Sequence, residues 1–508
     1  MQLGSVVFDD EKDRLINSRT TDKNKVRTSY GTGQVYSTSL FTVMLCLIAN
    51  KMASLDPEGT GVEMESDKPN WYDALNGLPA LVGSSISETI ETKRHILFLR
   101  KALSEIFIID GWPVFAELKE FIAELGSLLE QKLPAFDYWD RSYSVKESYR
   151  NRTRLGISGE ESVITRSELE RFFSACLKKL DDGIAKAVDN GNKILSTYFI
   201  NSVTDYEILE DENGVRRNDK GLECFKALKF EQIHLPLFLE GPVHYLRCHK
   251  DKDRSLAITE AIKNSGLYDK KLKMYKVNAT LKDQAPEIGR ARTFSPGWFE
   301  NESVWMHMEY KYMLEMLRCG LYERFYDDFK NVFVPFFDPK VYGRSILENS
   351  SFIVSSSNPD PSIHGNGFVA RLSGATAEFI HILLMMAVGE KPFAADKEKG
   401  LALEFKPALK SWMFTEDESL HDLRTDSGCE KIRLEKNTFA FMFLGSILVT
   451  YHNPKMLDTF GPNGVKPVNI EIIGRDGEVY TVKDDVIYGK PALDIRCRKI
   501  NRINIELE

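Results

Sequence analysis

Arg292-Thr293-Phe294-Ser295-Pro296-Gly297-Trp298-Phe299-Glu300-Asn301-Glu302-Ser303-Val304-Trp305-Met306-His307 is the stretch on which the reading of the fold turns. Ser295 suits an N-cap and Pro296 the first helical position, so the pattern predicts a helix from Pro296 to Cys319, with Gly320 as its stop. On such a helix Glu300 and His307 lie two turns apart and share a face. An acid and an imidazole facing a cleft can bind a sugar hydroxyl and an oxyanion. A core helix with a hydrogen-bonded histidine accounts for the same residues.

Helical spacing of apolar residues recurs on both sides of this stretch. It predicts helices over Ser37 to Met52, Glu88 to Phe107 with Ser87 as cap, and Pro113 to Leu133 started by Pro113. Further helices are expected over Ser167 to Val188, Tyr322 to Phe333 and Val369 to Val388, the last stopped by Gly389. Phe136 to Gly159 is charged and aromatic, and Tyr198 to Gly241 mixes short β-like runs with the turn Asp211-Glu212-Asn213-Gly214. Ser350 to Asn366 reads as a loop. After Gly400 the period becomes two, and the runs beginning at Ile432, Ile447, Val468 and Ile500 read as strands with turns at Asn463-Gly464 and Asp476-Gly477. The expected organisation is an irregular entry segment (1–36), helices with an acid loop (37–134), an insertion (135–290), further helices (291–400) and a C-terminal β-domain (401–508). The fold class is mainly α with that β-domain.

At 508 residues and 43% hydrophobic composition, the chain is long enough for two or three structural units. A net charge of -8, with basic and acidic residues interspersed, leaves no electrostatic footprint for nucleic acid. The longest apolar runs, Leu40 to Ile48 and Phe379 to Val388, fall short of the roughly 20 residues that a membrane span needs. Met1 is followed by Gln2, Leu3 and Gly4 and soon by Asp9-Asp10-Glu11, without the basic start and apolar stretch of a secretory signal, so a cytoplasmic location is expected. Seven cysteines without any Cys-x-x-Cys pair read as reduced thiols, and His244, Cys248 and His249 form the one close histidine group, with no metal site expected.

Two further constellations can carry chemistry. Pro69-Asn70-Trp71-Tyr72-Asp73-Ala74-Leu75-Asn76-Gly77-Leu78-Pro79 sets Asp73 among aromatic and amide side chains. Aromatic faces stack on pyranose rings, amides read hydroxyls, and a carboxyl in a poorly solvated pocket has its pKa raised towards general-acid duty. A plain interhelical loop has the same composition. The acids just before it, Glu63, Glu65 and Asp67, point in different directions and are expected to be mostly solvated. In Arg371-Leu372-Ser373-Gly374-Ala375-Thr376-Ala377-Glu378 small residues open a helix, which suits an anion or simply close helix packing.

Together these segments resemble the cellobiose phosphorylase group of glycoside-active enzymes. Asn70-Trp71-Tyr72-Asp73-Ala74-Leu75-Asn76 is similar to that group's Asp-Trp-Asn-Asp-Gly-Met-Asn. Arg292 to Gly297, with Glu300-Asn301 and His307, resembles its Arg-Thr-Phe-Ser-Pro-Gly, Glu-Asn-Gly and Asn-His, and Leu372-Ser373-Gly374-Ala375 its Leu-Thr-Gly-Thr phosphate loop. The resemblance implies a six-hairpin glycosidase fold, here a partial (α/α)6 barrel with a small β-sandwich. It implies Asp73 as general acid, Trp71, Asn76, Glu300 and Asn301 as sugar contacts, and His307, Ser373 and Gly374 as phosphate ligands. Asn70, Tyr72, Ala74 and Glu302 depart from the group's motifs, the last two standing for glycines, which implies different sugar pockets.

The implied reaction is inverting phosphorolysis of a β-linked gluco-oligosaccharide to a sugar 1-phosphate. Inorganic phosphate is the co-substrate, and no cofactor or metal is needed. Asp73 protonates the glycosidic oxygen while phosphate attacks from the opposite face. An inverting hydrolase of the same fold needs instead a second carboxylate roughly 6.5 to 9.5 Å away to activate water, for which Glu302 and Glu378 are the candidates. The group's N-terminal β-sandwich and first barrel helices have no counterpart before Asp73. That implies a homo-oligomer, a partner chain carrying the missing part, or a carbohydrate-binding fragment inactive alone.

Overall fold

A computed structural model describes residues 8–65, 71–105, 109–188, 194–212, 214–218, 221–370, 374–425 and 428–508. Asn70 and Ser373 lie outside them. The chain is mixed α/β, with small sheets that are antiparallel except for one strand pair. It divides into two compact units, Met1–Tyr312 with Lys330–Arg371 and Met313–Phe329 with Leu372–Glu508. The expected boundaries at 134 and 290 are therefore not structural. Residues 37–134 and 135–290 share one unit, in which strand Gly83–Ser85 pairs with Tyr198–Ile208. Residues 291–400 are divided between the two units.

The larger unit is built on five helices, Leu40–Met52, Ile86–Glu105, Ala116–Glu130, Ala135–Thr153 and Arg166–Val188. Their apolar positions recur every three or four residues, so Leu45, Ile48, Leu99, Leu118, Phe121, Phe173 and Leu180 meet in one core. Phe121 and Tyr149 stack within it at 4.4 Å. Ser39 caps the first helix, its hydroxyl accepting from the Thr42 amide at 3.2 Å. Ser87 lies inside the second helix rather than capping it. Pro113 does not start the third: it sits in strand Gly111–Phe115, which among the described residues pairs only with Glu161–Thr165, and an edge position tolerates the missing N–H. The entry segment is not irregular throughout, since Asp9 caps a helix over Asp10–Asn17 and pairs with Arg154 at 2.7 Å.

The deciding stretch also departs from expectation. No helix covers Pro296 to Trp305; Val304–Trp305 is a strand paired with Phe352–Ile353, and the helix spans Met306–Arg318. The chain turns back through Gly297, Phe299 and Glu302, whose φ values of 76°, 45° and 57° are left-handed and incompatible with an α-helix. Glu300 and His307 therefore do not share a helix face. Likewise Gly367–Ala370 is a strand on Ser350–Ile353, and the following helix spans Gly374–Val388.

In the smaller unit a five-stranded sheet runs in the order Thr438–Phe443, Ile447–His452, Ile500–Leu507, Pro467–Gly474 and Val479–Val482. One face buries Val449, Tyr451, Ile470, Ile472, Ile503 and Ile505, the alternation read from the sequence. Tyr451 donates to the Ala387 carbonyl at 2.7 Å, tying the sheet to helix Gly374–Val388.

Ahead of the acid loop, buried Asp56 knots the larger unit together. Its carboxylate accepts from the amides of Glu58, Thr60 and Gly61, from Ser84 Oγ and from Gln232 Nε2, at 2.7 to 3.1 Å. Asp56→Ala leaves these donors buried without an acceptor. It should cost about 3 to 5 kcal/mol of unfolding free energy, measured by urea denaturation, whereas exposed Asp211→Ala should change it by less than about 0.5 kcal/mol.

Candidate functional site

Asp73 opens a single 3-10 turn, Asp73–Leu75. Tyr72, Ala74, Leu75 and Leu78 point inward to Phe238, Ile288 and Ala291, so Trp71, Asp73 and Asn76 face outward. Against this turn lies the segment Pro286–Thr293, and two glycines allow the contact. A Cβ on Gly77 would meet the Glu287 carbonyl oxygen at 1.8 Å, and one on Gly289, whose φ is 130°, would meet the Ala74 carbonyl oxygen at 2.5 Å. Asn76 Oδ1 accepts from the Arg290 amide at 3.2 Å, and the Arg290 guanidinium reaches Asp73 Oδ2 at 2.9 Å.

A second loop is pinned from below by Asn278, which is fully buried. Its Nδ2 donates to Tyr72 Oη at 2.8 Å and to the Glu300 carbonyl at 3.0 Å, and its Oδ1 accepts from the Glu302 amide at 2.6 Å. Glu300 is thereby held near Asp73. Burial pushes the Glu300 carboxyl up from its ordinary range and the Asp73 charge adds to this, while Arg290 works in the opposite direction. On the same side the Trp71 ring lies 5.9 Å from His307 and 6.3 Å from Trp305, both edge-on. Trp71, Asp73, Glu300 and His307 thus belong to one neighbourhood of the larger unit.

Other expected residues have different employment. Asp73 is not in a poorly solvated pocket: its side chain is 60% exposed and ion-paired. Asn301 is buried and donates to the Phe294 carbonyl at 2.7 Å. Glu302 forms a buried ion pair with Lys276 at 2.8 Å and accepts from Ser357 Oγ at 3.0 Å, so it is not poised to activate water. Its φ of 57° is a conformation suited to glycine. Glu63 is withdrawn rather than solvated. Trp139 Nε1 donates to it at 2.6 Å, and burial pushes its carboxyl up to about 7. Glu65 is exposed, as expected, and Asp67 lies outside the described residues. Gly374 starts helix Gly374–Val388 in the smaller unit, and Glu378 lies within that helix.

Arg290, Asn278 and Trp305 were not singled out by sequence. Arg290 stands two residues before the quoted motif, and its pairing with Asp73 becomes visible only once these two distant segments are folded together. Among the described residues no cluster of histidine, cysteine and acidic side chains could hold a metal ion. His244 instead meets Glu91 at 2.6 Å, and His249 stacks on Tyr245 at 4.2 Å. The chain matches no known protein-family model and no curated protein sequence.

The electrostatics yield a signed expectation. A raised carboxyl stabilises the fold while protonated, and that contribution is lost as pH rises through its folded-state value. Asp73→Asn removes the like charge and should lower the Glu300 midpoint. Arg290→Met removes the opposing cation and should raise it. Side-chain carboxyl NMR titration checks both directions, and a midpoint that ignores both substitutions would separate Glu300 from this charge pair.

Proposed function

We propose that the larger unit carries a glycoside-processing site of the phosphorylase kind, which cleaves a β-linked gluco-oligosaccharide by inverting phosphorolysis. The observation that supports this is the convergence of Trp71 and Asp73, from one loop, with Glu300 and His307, from a segment far along the chain. Glu302 adds to it: the resembled motif has glycine there, and the backbone at Glu302 has the left-handed φ that glycine adopts most easily. In this reading the helices of the larger unit belong to a partial (α/α)6 barrel, and the chain acts in the cytoplasm as an oligomer or with a partner chain.

Trp71 offers a ring face to a sugar, and Glu300, protonated to higher pH than an ordinary glutamate, can both donate to and accept from a hydroxyl. Asp73 delivers the proton to the glycosidic oxygen. His307 binds the phosphate that attacks the anomeric carbon, so no protein base is required. Arg290 pairs with Asp73 Oδ2 at 2.9 Å and so acts as a positioning residue for the carboxyl. The hydrolytic alternative is weakened by the commitment of Glu302 to Lys276.

The test is release of sugar 1-phosphate from β-linked gluco-oligosaccharides with and without inorganic phosphate. Phosphate-dependent release is expected, and phosphate-independent release of free sugar would instead indicate hydrolysis. Asp73→Asn should lower turnover by about 10² to 10⁴ with little change in oligosaccharide affinity. Activity undiminished by Asp73→Asn would remove Asp73 as the acid.

A further inference from the structure

The smaller unit contains a cavity of about 880 Å³ over the polar face of its five-stranded sheet. Two copies of one tripeptide line it, Asn469-Ile470-Glu471 and Asn504-Ile505-Glu506, on antiparallel neighbouring strands. The register sets each asparagine opposite the other copy's glutamate, Asn469 against Glu506 and Asn504 against Glu471. The isoleucines between them point to the core on the opposite face. Asn504 Nδ2 donates to Glu471 at 2.9 Å and Asn469 Nδ2 to Glu506 at 3.2 Å. Asn453, at the end of strand Ile447–His452, donates Nδ2 to the Leu457 carbonyl at 2.7 Å.

These partners fix the amide orientations, because each is an oxygen that can only accept. All three side chains thus donate from Nδ2 to the protein, and the carbonyl oxygens of Asn453 and Asn469 are left over. Asn453 is 0% exposed, lines the cavity, and has an Oδ1 with no hydrogen-bond partner among the described residues; Asn469 Oδ1 is in the same state. A buried amide oxygen left unpaired costs about 1 to 3 kcal/mol, so a donor from outside the protein is the natural complement. Around these oxygens stand Glu435, Glu471 and Glu506, with Lys436 as the one lysine or arginine among the lining residues.

The lining therefore presents acceptors and negative charge. A pyranose is a poor match, because it needs donors as well as acceptors and an aromatic face to stack on, and among the lining residues the only aromatic ring is the His452 imidazole. A single metal ion is also a poor match, since no described acidic or histidine residues cluster tightly enough to ligate one. Separated carboxylates with amide oxygens between them fit a ligand that carries several separated N–H⁺ groups and accepts nothing. We propose that this cavity is a binding site for a linear organic polyamine, independent of the site around Asp73.

Isothermal titration calorimetry of the full chain with spermidine at low ionic strength tests this. Saturable one-to-one binding is expected. Glu471→Gln with Glu506→Gln, which keeps the acceptors for Asn504 and Asn469, should weaken it at least tenfold with unchanged thermal unfolding. A charge-matched control, Glu207→Gln with Asp211→Asn in the larger unit, should leave affinity within twofold. The assignment is overturned by absent saturation, by an equal loss in the control, or by calcium binding that the Glu471/Glu506 pair abolishes while spermidine binding is untouched.

Discussion

One buried amide, that of Asn278, holds the candidate site in register. Its side chain joins Tyr72 to the backbone of Glu300 and Glu302, so the loop that carries Asp73 and the loop that carries Glu300 share a single fixed point. Both N–H groups and the oxygen of the amide are used, which is the condition under which a buried polar group specifies geometry without a desolvation penalty. Tyr72 is also wedged edge-on against Phe238 at 5.1 Å, so its hydroxyl cannot drift and take the loop with it. Outward-facing Trp71 and Asp73 inherit that rigidity because they flank Tyr72 in sequence.

The charges of the neighbourhood follow from how that frame is built. Close backbone contact at Gly77 and Gly289 brings Arg290 over the acid turn, and its guanidinium meets Asp73 in solvent, where an isolated pair contributes little stability. Glu300, on the pinned loop, is more withdrawn and experiences the Asp73 charge. Two carboxyl groups in one neighbourhood thus have different environments, the arrangement by which acid and base roles separate. Lys276 and Glu302 lie one layer deeper, and their buried pairing fixes the left-handed turn after Glu300 rather than serving chemistry.

Much of the fold was legible because periodicity reports burial directly. Helices Leu40–Met52, Ile86–Glu105, Arg166–Val188 and Tyr322–Val332 and the strands after Gly400 lie within a few residues of where apolar spacing puts them. The failures share one cause, local signals that mean different things in different tertiary settings. Pro113 and Pro296 read as helix starts, but one lies in an edge strand and the other leads into a left-handed turn. Of the site, the aromatic-acid loop and Glu300 could be picked out by residue type. Asn278 could not, since Lys276-Val277-Asn278-Ala279-Thr280 has no motif and the amide acquires its meaning only from the two loops that fold onto it.

The contrast between Asn278 and Asn453 separates two uses of the same side chain. Both are fully buried, and both donate from Nδ2 to oxygens of the protein. The oxygen of Asn278 is also taken, by the Glu302 amide, so that residue is closed and its information is structural. The oxygen of Asn453 is left over, and so is that of Asn469 on the neighbouring sheet face. Folding alone gives no return for leaving an acceptor desolvated and unpaired, and an apolar side chain of similar size would remove the cost. An amide that retains an unspent oxygen beside a cavity is therefore explained by what the cavity receives, whereas an amide with nothing unspent is explained by the fold.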